Sequence, residues 1–291
     1  MRANSKPPAA SPLPHSPTTC PGSGIGPRMV DGEGDDVPGV DQWLAVVGDR
    51  DTEHPRLEEN LESRSSQMPH ARLGAARDWT AAKGPATTTV LLRHGETPLT
   101  AEGRFSGLGD VPLTDAGHGQ ATAAAARLAA HHRIELIVTS PLRRARDTAD
   151  AVARATGAPL SVADGLAEAD FGMWEGLTFA EVSQRWPEEM SAWVADPRAA
   201  PPGGESLTHP AGRVAAAVDA LLAAHPGSTL LLVSHVTPIK ALLCRALLAP
   251  PAALFRLHLD AGSLSQIDWF TDRPPVVRLV NETGHLRRLG N

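Results

Sequence analysis

With 291 residues and a net charge of −6, the chain has room for one or two domains, and its acidity argues against nucleic acid as the main partner. Its two cysteines, Cys20 and Cys244, are too few and too far apart for a disulfide framework or a metal-ligand spacing, which points to a reducing, cytoplasmic setting without metal or other cofactor. No apolar run reaches the ~18 residues that span a bilayer, and the Pro-, Ser- and Gly-rich N-terminus lacks the apolar core of a secretory signal, so no membrane partner is expected.

Residues 1–84 read as a mostly disordered N-terminal extension. Pro, Ser, Gly and acidic residues dominate there, and only Gln42 to Val47 is apolar enough for one short helix or strand. From Thr87 onward strands and helices alternate, the pattern of a mostly parallel sheet covered on both faces. Residues 85–291 are therefore predicted to form one α/β domain, a three-layer α/β/α sandwich. In chain order the pattern predicts a strand at 88–93, a helix at 114–131, a strand at 134–139, a helix at 141–156 and a strand at 159–163. An aperiodic stretch rich in aromatics, glycines and carboxylates follows, Leu166 to Gly176. Helices are predicted next at 178–186, 188–195 and 207–225. The first of them opens with the capping-box pattern Thr178-Phe179-Ala180-Glu181. In the third, Leu221, Leu222 and nearby alanines offer an apolar face for the sheet. A strand at 229–234, a helix at 237–248 and strands at 263–269 and 276–281 complete the order.

Three of these strands end alike. The first runs into Arg93-His94-Gly95-Glu96 and then Thr97-Pro98, an N-cap residue followed by Pro at the first helical position. The second runs into Ser140-Pro141-Leu142-Arg143-Arg144, and the fourth into Ser234-His235-Val236-Thr237-Pro238. If these strands are parallel neighbours, their loops converge at the carboxyl edge of the sheet, where open α/β folds bind ligands. Arginines, histidines and helix N-termini pooled there favour an anion, above all a phosphate.

The residue types suggest roles. A neutral His94 imidazole, beside Arg93 and a permissive Gly95, suits a nucleophile that forms a phosphohistidine. His235, as imidazolium, suits a donor to a phosphoryl oxygen. Arg93 and one of Arg143 and Arg144 suit the clamping of phosphoryl oxygens, because a guanidinium matches phosphate better than an ammonium does. A leaving alkoxide needs a proton. Glu168, Asp170 and Glu175 all lie near Phe171 and Trp174, where a carboxyl gains a raised pKa and can act as general acid. Spacing alone does not choose among the three.

Together these segments, with Arg104-Phe105-Ser106-Gly107 and Asp110-Val111-Pro112-Leu113-Thr114, resemble the histidine phosphatase superfamily, which includes the phosphoglycerate mutases. The resemblance runs from about Val90 to the C-terminus, with six motifs in order. It is nearest to the acid phosphatase half of bifunctional ribonuclease H/acid phosphatase proteins and to α-ribazole phosphatases, through Val236 to Lys240 and Arg256 to Asp260. The resemblance implies a phosphoglycerate mutase-like fold. It selects Arg144 over Arg143, places the proton donor on Glu168, and brings Ser106 and Gly107 close to the phosphate or substrate. Where many members carry Asn this chain has Thr100, which keeps a hydroxyl but lacks the amide's paired donor and acceptor. Residues 1–84 are too short to supply a ribonuclease H half, so a bifunctional role is not expected.

The expected function is thus a metal-independent phosphomonoesterase acting on a small phosphorylated metabolite. A phosphoglycerate mutase shares the pocket, but it needs further basic residues and a longer insertion than the segment from Gly176 to Gly203 supplies. A non-catalytic phospho-ligand binding module is the remaining alternative.

Overall fold

This computed structural model describes residues 84–289. The extension read over 1–84, Gly84 apart, and the short element at 42–47 lie outside the described residues. The elements are β1 (Thr87–Arg93), α1 (Pro98–Ala101), α2 (Asp115–His131), β2 (Leu136–Thr139), α3 (Arg143–Thr156), β3 (Leu160–Val162), α4 (Phe179–Arg185), α5 (Pro187–Ala195), α6 (Thr208–Ala224), β4 (Thr229–Ser234), α7 (Val236–Ala246), β5 (Leu264–Trp269) and β6 (Val276–Glu282). Short 3₁₀ turns at Asp164–Leu166, Gly172–Trp174, Pro251–Arg256 and Gly284–Leu289 fill the connections.

The six strands form one sheet in the order β3-β2-β4-β1-β5-β6. β3, β2, β4 and β1 are parallel neighbours, while β5 and β6 add antiparallel pairings at one side. The first, second and fourth strands are adjacent, so their carboxyl ends lie side by side. Arg93 is in register with Ser234, and Thr139 with Val233. The antiparallel β5 starts at this same edge, where the Arg93 N–H donates to the Ser263 carbonyl at 3.1 Å.

The central strands are buried on both faces, as parallel strands between helical layers must be. Successive residues alternate between two cores. Val90, Leu92, Leu231 and Val233 pack with Ala124, Leu128, Ala149 and Val152 of α2 and α3. Leu91, Leu232 and Ile267 pack with Val214, Val218, Ile239 and Leu242 of α6 and α7. Each fully buried Leu or Val contributes roughly 1.5–3 kcal/mol. The stripe of α6 that faces the core is Pro210, Val214 and Val218, at helical i, i+4 spacing, whereas Leu221 and Leu222 are only partly buried. The apolar face thus lies a turn or two nearer the N-terminus than composition suggested.

Two details position the site. The helix that Thr97-Pro98 starts is only four residues long, and Gly103 takes φ 64° just beyond it. The loop after β1 is pressed against the first turn of α2. A Cβ on Gly95 would overlap the Gly117 carbonyl, and one on Gly117 would overlap the Glu96 carbonyl oxygen. Two glycines in contact let the backbone after β1 reach that depth.

Candidate active site

The strand ends bring His94, Arg144, His235 and Glu168 together, with exposures of 3%, 0%, 0% and 4%. The His94 N–H donates to the Ser234 carbonyl at 3.1 Å, which locks its backbone to the end of β4. The rings of His94 and His235 lie 5.0 Å apart, centroid to centroid. His94 Nδ1 is 2.7 Å from the Gly95 carbonyl. That oxygen can only accept, so Nδ1 carries the proton and Nε2 keeps its lone pair. Arg144 Nε donates to this Nε2 at 3.3 Å.

Arg144 is held from every side. Its terminal nitrogens donate to the carbonyls of Gly109 at 2.8 Å, Gly107 at 2.7 Å and Ser106 at 3.2 Å. Arg143, one residue earlier, is exposed and pairs with Asp147. Arg93 donates to the Leu259 carbonyl at 2.5 Å, and its Nε is buried without a protein partner. His235 Nε2 meets the Ser140 hydroxyl at 2.7 Å, and its Nδ1 is likewise buried and unpartnered, as is the Ser106 hydroxyl. A buried polar group left unpaired costs about 1–3 kcal/mol, so the unpartnered nitrogens of Arg93 and His235, two residues beside His94, mark a place shaped for a polar ligand rather than for stability.

Charge follows from this packing. Burial, reinforced by Arg144 and Arg93, holds His94 well below the usual imidazole range. Burial, with Arg144, His94, Arg93 and Arg213, does the same to His235. These surroundings thus disfavour the charged form of His235 in the free protein, and an arriving dianion would favour it. Burial lowers Arg93 to about 10 and also lowers Arg144, so both guanidinium groups remain charged near neutral pH.

The structure separates the three carboxyls. Asp170 accepts from the Gly172 N–H at 2.8 Å and serves the local turn, where Gly172 has φ 53°. Glu175 is the one that burial pushes up, and its Oε2 accepts from the Gly107 N–H at 2.7 Å. Glu168 lies within electrostatic reach of Arg93 and Arg144. Its Oε1 accepts from the Ala169 N–H at 2.9 Å and from the Thr237 N–H, at the start of α7, at 3.2 Å. Its loop is tied down by Ser234 Oγ, which donates to the Leu166 carbonyl at 2.7 Å. Arg213 of α6 adds bonds to the carbonyls of Ala167 at 3.2 Å and Glu168 at 2.7 Å, and is itself paired with Glu205 at 2.7 Å. Below the loop, Phe171 and Trp174 pack on Phe105 at 5.0 and 5.5 Å.

The residues expected to approach substrate are Thr100, Ser106 and Gly107. Thr100 spends its hydroxyl on capping α1, accepting from the Thr97 N–H at 2.7 Å and donating to the Thr97 carbonyl at 2.9 Å. Ser106 and Gly107 orient Arg144 through their carbonyls, and of the two only the Ser106 hydroxyl is left unpartnered. Sequence reasoning missed Ser140 as the partner of His235. It also missed Thr148, which accepts from the Gly95 N–H at 3.1 Å and donates to the Arg144 carbonyl at 2.7 Å. Arg213 went unnoticed too. The Ser-Pro helix start was the one available signal, for Ser140; the others sit within helices whose packing no local pattern announces. Among the described residues, no group of three or more His, Cys, Asp or Glu is arranged to hold a metal ion, and no helix is long and apolar enough to cross a membrane.

The chain belongs to the histidine phosphatase superfamily (branch 1), whose pattern matches residues 89–282. It is 48% identical over 208 residues to a "Bifunctional protein" of Mycobacterium tuberculosis, covering 72% of this chain and 57% of that protein. The chain thus spans little more than half the length of such relatives. Phosphoserine phosphatase 1 of Hydrogenobacter thermophilus is 33% identical, over 68% of this chain and 93% of its own length. The native structure of a mycobacterial glucosyl-3-phosphoglycerate phosphatase superposes with a TM-score of 0.63 at 33% identity, over 68% of this chain and all of that one. The α/β architecture is that of this superfamily.

Proposed function

We propose that residues 85–291 form a metal-independent phosphomonoesterase domain acting on a small phosphorylated metabolite through a phosphohistidine on His94. The observation that carries this reading is the His94 Nε2 lone pair, fixed by the Gly95 carbonyl and met by the Arg144 Nε–H, with Arg93 also within electrostatic reach. The relatives named as phosphatases support hydrolysis over phosphoryl transfer between metabolites.

In the first step Nε2 attacks phosphorus, the P–N bond forms and the P–O bond to the alcohol breaks. Arg93, Arg144 and His235 hold the phosphoryl oxygens as charge spreads over them. Protonated Glu168 delivers its proton to the departing oxygen. In the second step the Glu168 carboxylate takes a proton from water, whose oxygen attacks phosphorus. The P–N bond breaks, and inorganic phosphate and neutral His94 return. The depressed affinity of His94 for protons keeps the nucleophile free below pH 6.5, which suits a phosphatase working in mild acid. A buried Cys244 thiol fits a reducing, cytoplasmic compartment.

His94→Ala should lower turnover of p-nitrophenyl phosphate by about 10³-fold or more and abolish an acid-labile phosphoenzyme trapped from radiolabelled substrate. Unchanged turnover would sink the mechanism.

A further inference from the structure

Arg144 is fully buried, yet among the described residues no carboxylate forms an ion pair with it. Its donors go to His94 and to three carbonyls. The carboxylates within electrostatic reach of it are Glu168, Glu175 and Asp110. Glu168 serves the leaving oxygen in the mechanism above. Asp110 is exposed, accepts from the Arg143 N–H at 2.6 Å and faces Arg146 at 3.9 Å. Glu175 has no task in that mechanism, although it is built into the cradle that holds Arg144.

Glu175 Oε2 accepts from the Gly107 N–H at 2.7 Å. That N–H belongs to the same peptide unit as the Ser106 carbonyl, and in a trans peptide the two point in opposite directions. One side of the unit therefore meets Glu175, and the other meets Arg144 Nη2 at 3.2 Å. A carboxylate on the N–H polarises the peptide and strengthens the acceptor on its far side. The second oxygen, Oε1, is shut off from solvent beside Gly109, whose carbonyl takes Arg144 Nη1 at 2.8 Å. Only glycines permit this approach. An added Cβ would come within 2.6 Å of Oε2 at Gly107 and within 2.9 Å of Oε1 at Gly109. The two segments are also joined directly: the Phe105 N–H donates to the Leu177 carbonyl at 2.8 Å, and the Gly176 N–H to the Phe105 carbonyl at 2.9 Å. We propose that Glu175 is a positioning residue, whose carboxylate acts through the Ser106–Gly107 peptide to hold the carbonyls that aim Arg144 at His94. The inference rests on the phosphomonoesterase reading and adds to its phosphoryl clamp.

Hydrolysis of p-nitrophenyl phosphate and glycerol 2-phosphate by the full chain tests it, with Glu175→Ala and Glu175→Gln made alone and together with Arg144→Lys. Glu175→Ala should lower kcat/KM by about 30-fold or more, and on both esters alike. Glu175→Gln keeps an acceptor for the Gly107 N–H without the charge, and should lose about ten-fold. In the Arg144→Lys background either change should cost within about two-fold more, since the cradle then has no fork to hold. Should the Ala variant fail to fold, the Gln variant completes the same cycle. A loss below about three-fold in either folded variant, a loss concentrated on glycerol 2-phosphate, or an equal loss with and without Arg144→Lys overturns the inference and leaves the phosphatase reading standing. Hydrolysis of neither ester by the unaltered protein overturns both.

Discussion

The pocket has two walls built on different principles. One, formed by Arg93, His94, Arg144 and His235, hangs from three adjacent strand ends and the helix starts that follow them. The other, formed by Glu168, hangs from an aperiodic loop tied to β4 by Ser234, to α6 by Arg213 and to α7 by the Thr237 N–H. In the proposed mechanism the first wall, fixed by the sheet, meets the charge common to all phosphate esters, and the second, fixed by side-chain ties, meets the part of the substrate that varies. A fold can therefore hold its phosphoryl chemistry constant while the alcohol side changes.

The comparison can be broken most severely at the first wall. Arg144→Lys should cost about 10²–10³-fold in kcat/KM on every ester alike, because a single ammonium cannot replace the fork that meets His94 and three carbonyls. A loss confined to some esters would mean the walls are not separate. Glu168→Gln should behave in the opposite manner. It should lose about 10²-fold or more on glycerol phosphates and far less on p-nitrophenyl phosphate, whose leaving group needs no proton. Equal losses would remove Glu168 as the acid.

A smaller effect concerns stability. His94 and His235 bind protons less readily folded than unfolded. Their contribution is therefore constant above about pH 6.5, and as pH falls below that value the unfolded state takes up protons first and stability drops. The slope should approach roughly 1.4 kcal/mol per pH unit for each group. Urea unfolding at pH 7.5, 6.0 and 5.0 would measure it, and His94→Asn should flatten the slope by about one proton. An unchanged slope would show that burial does not govern this histidine. The smallest effect lies outside both walls. Thr178→Ala removes the cap on α4, where the Thr178 hydroxyl accepts from the Glu181 N–H at 3.2 Å. It should cost about 1 kcal/mol in thermal unfolding and leave kcat unaltered; a fall in kcat would tie α4 to the chemistry.

The first wall was legible before any coordinates. Short apolar runs ending in Arg-His-Gly-Glu, Ser-Pro-Leu-Arg-Arg and Ser-His mark strand ends, and the alternation of elements makes the strands parallel, so all but the order of neighbours and the choice between Arg143 and Arg144 could be read directly. The second wall was not. Glu168, Asp170 and Glu175 are indistinguishable by spacing, and their separation depends on where Gly107, Gly172 and Thr237 offer N–H groups. The role of Thr100 was hidden for a similar reason, because a local cap competes for its hydroxyl.

Local periodicity and turn chemistry thus determined the strands, the helices and the edge at which the charged residues gather, since these depend on interactions between near neighbours in the chain. Spacing left open which ring nitrogen of His94 keeps its lone pair, which arginine turns inward and which carboxyl lies beside the arginines; the family resemblance chose Arg144 and Glu168, and tertiary structure supplies the physical reason. Each of those outcomes depends on burial and on donors far away in sequence, and a buried charge is governed by everything packed around it rather than by the residues on either side.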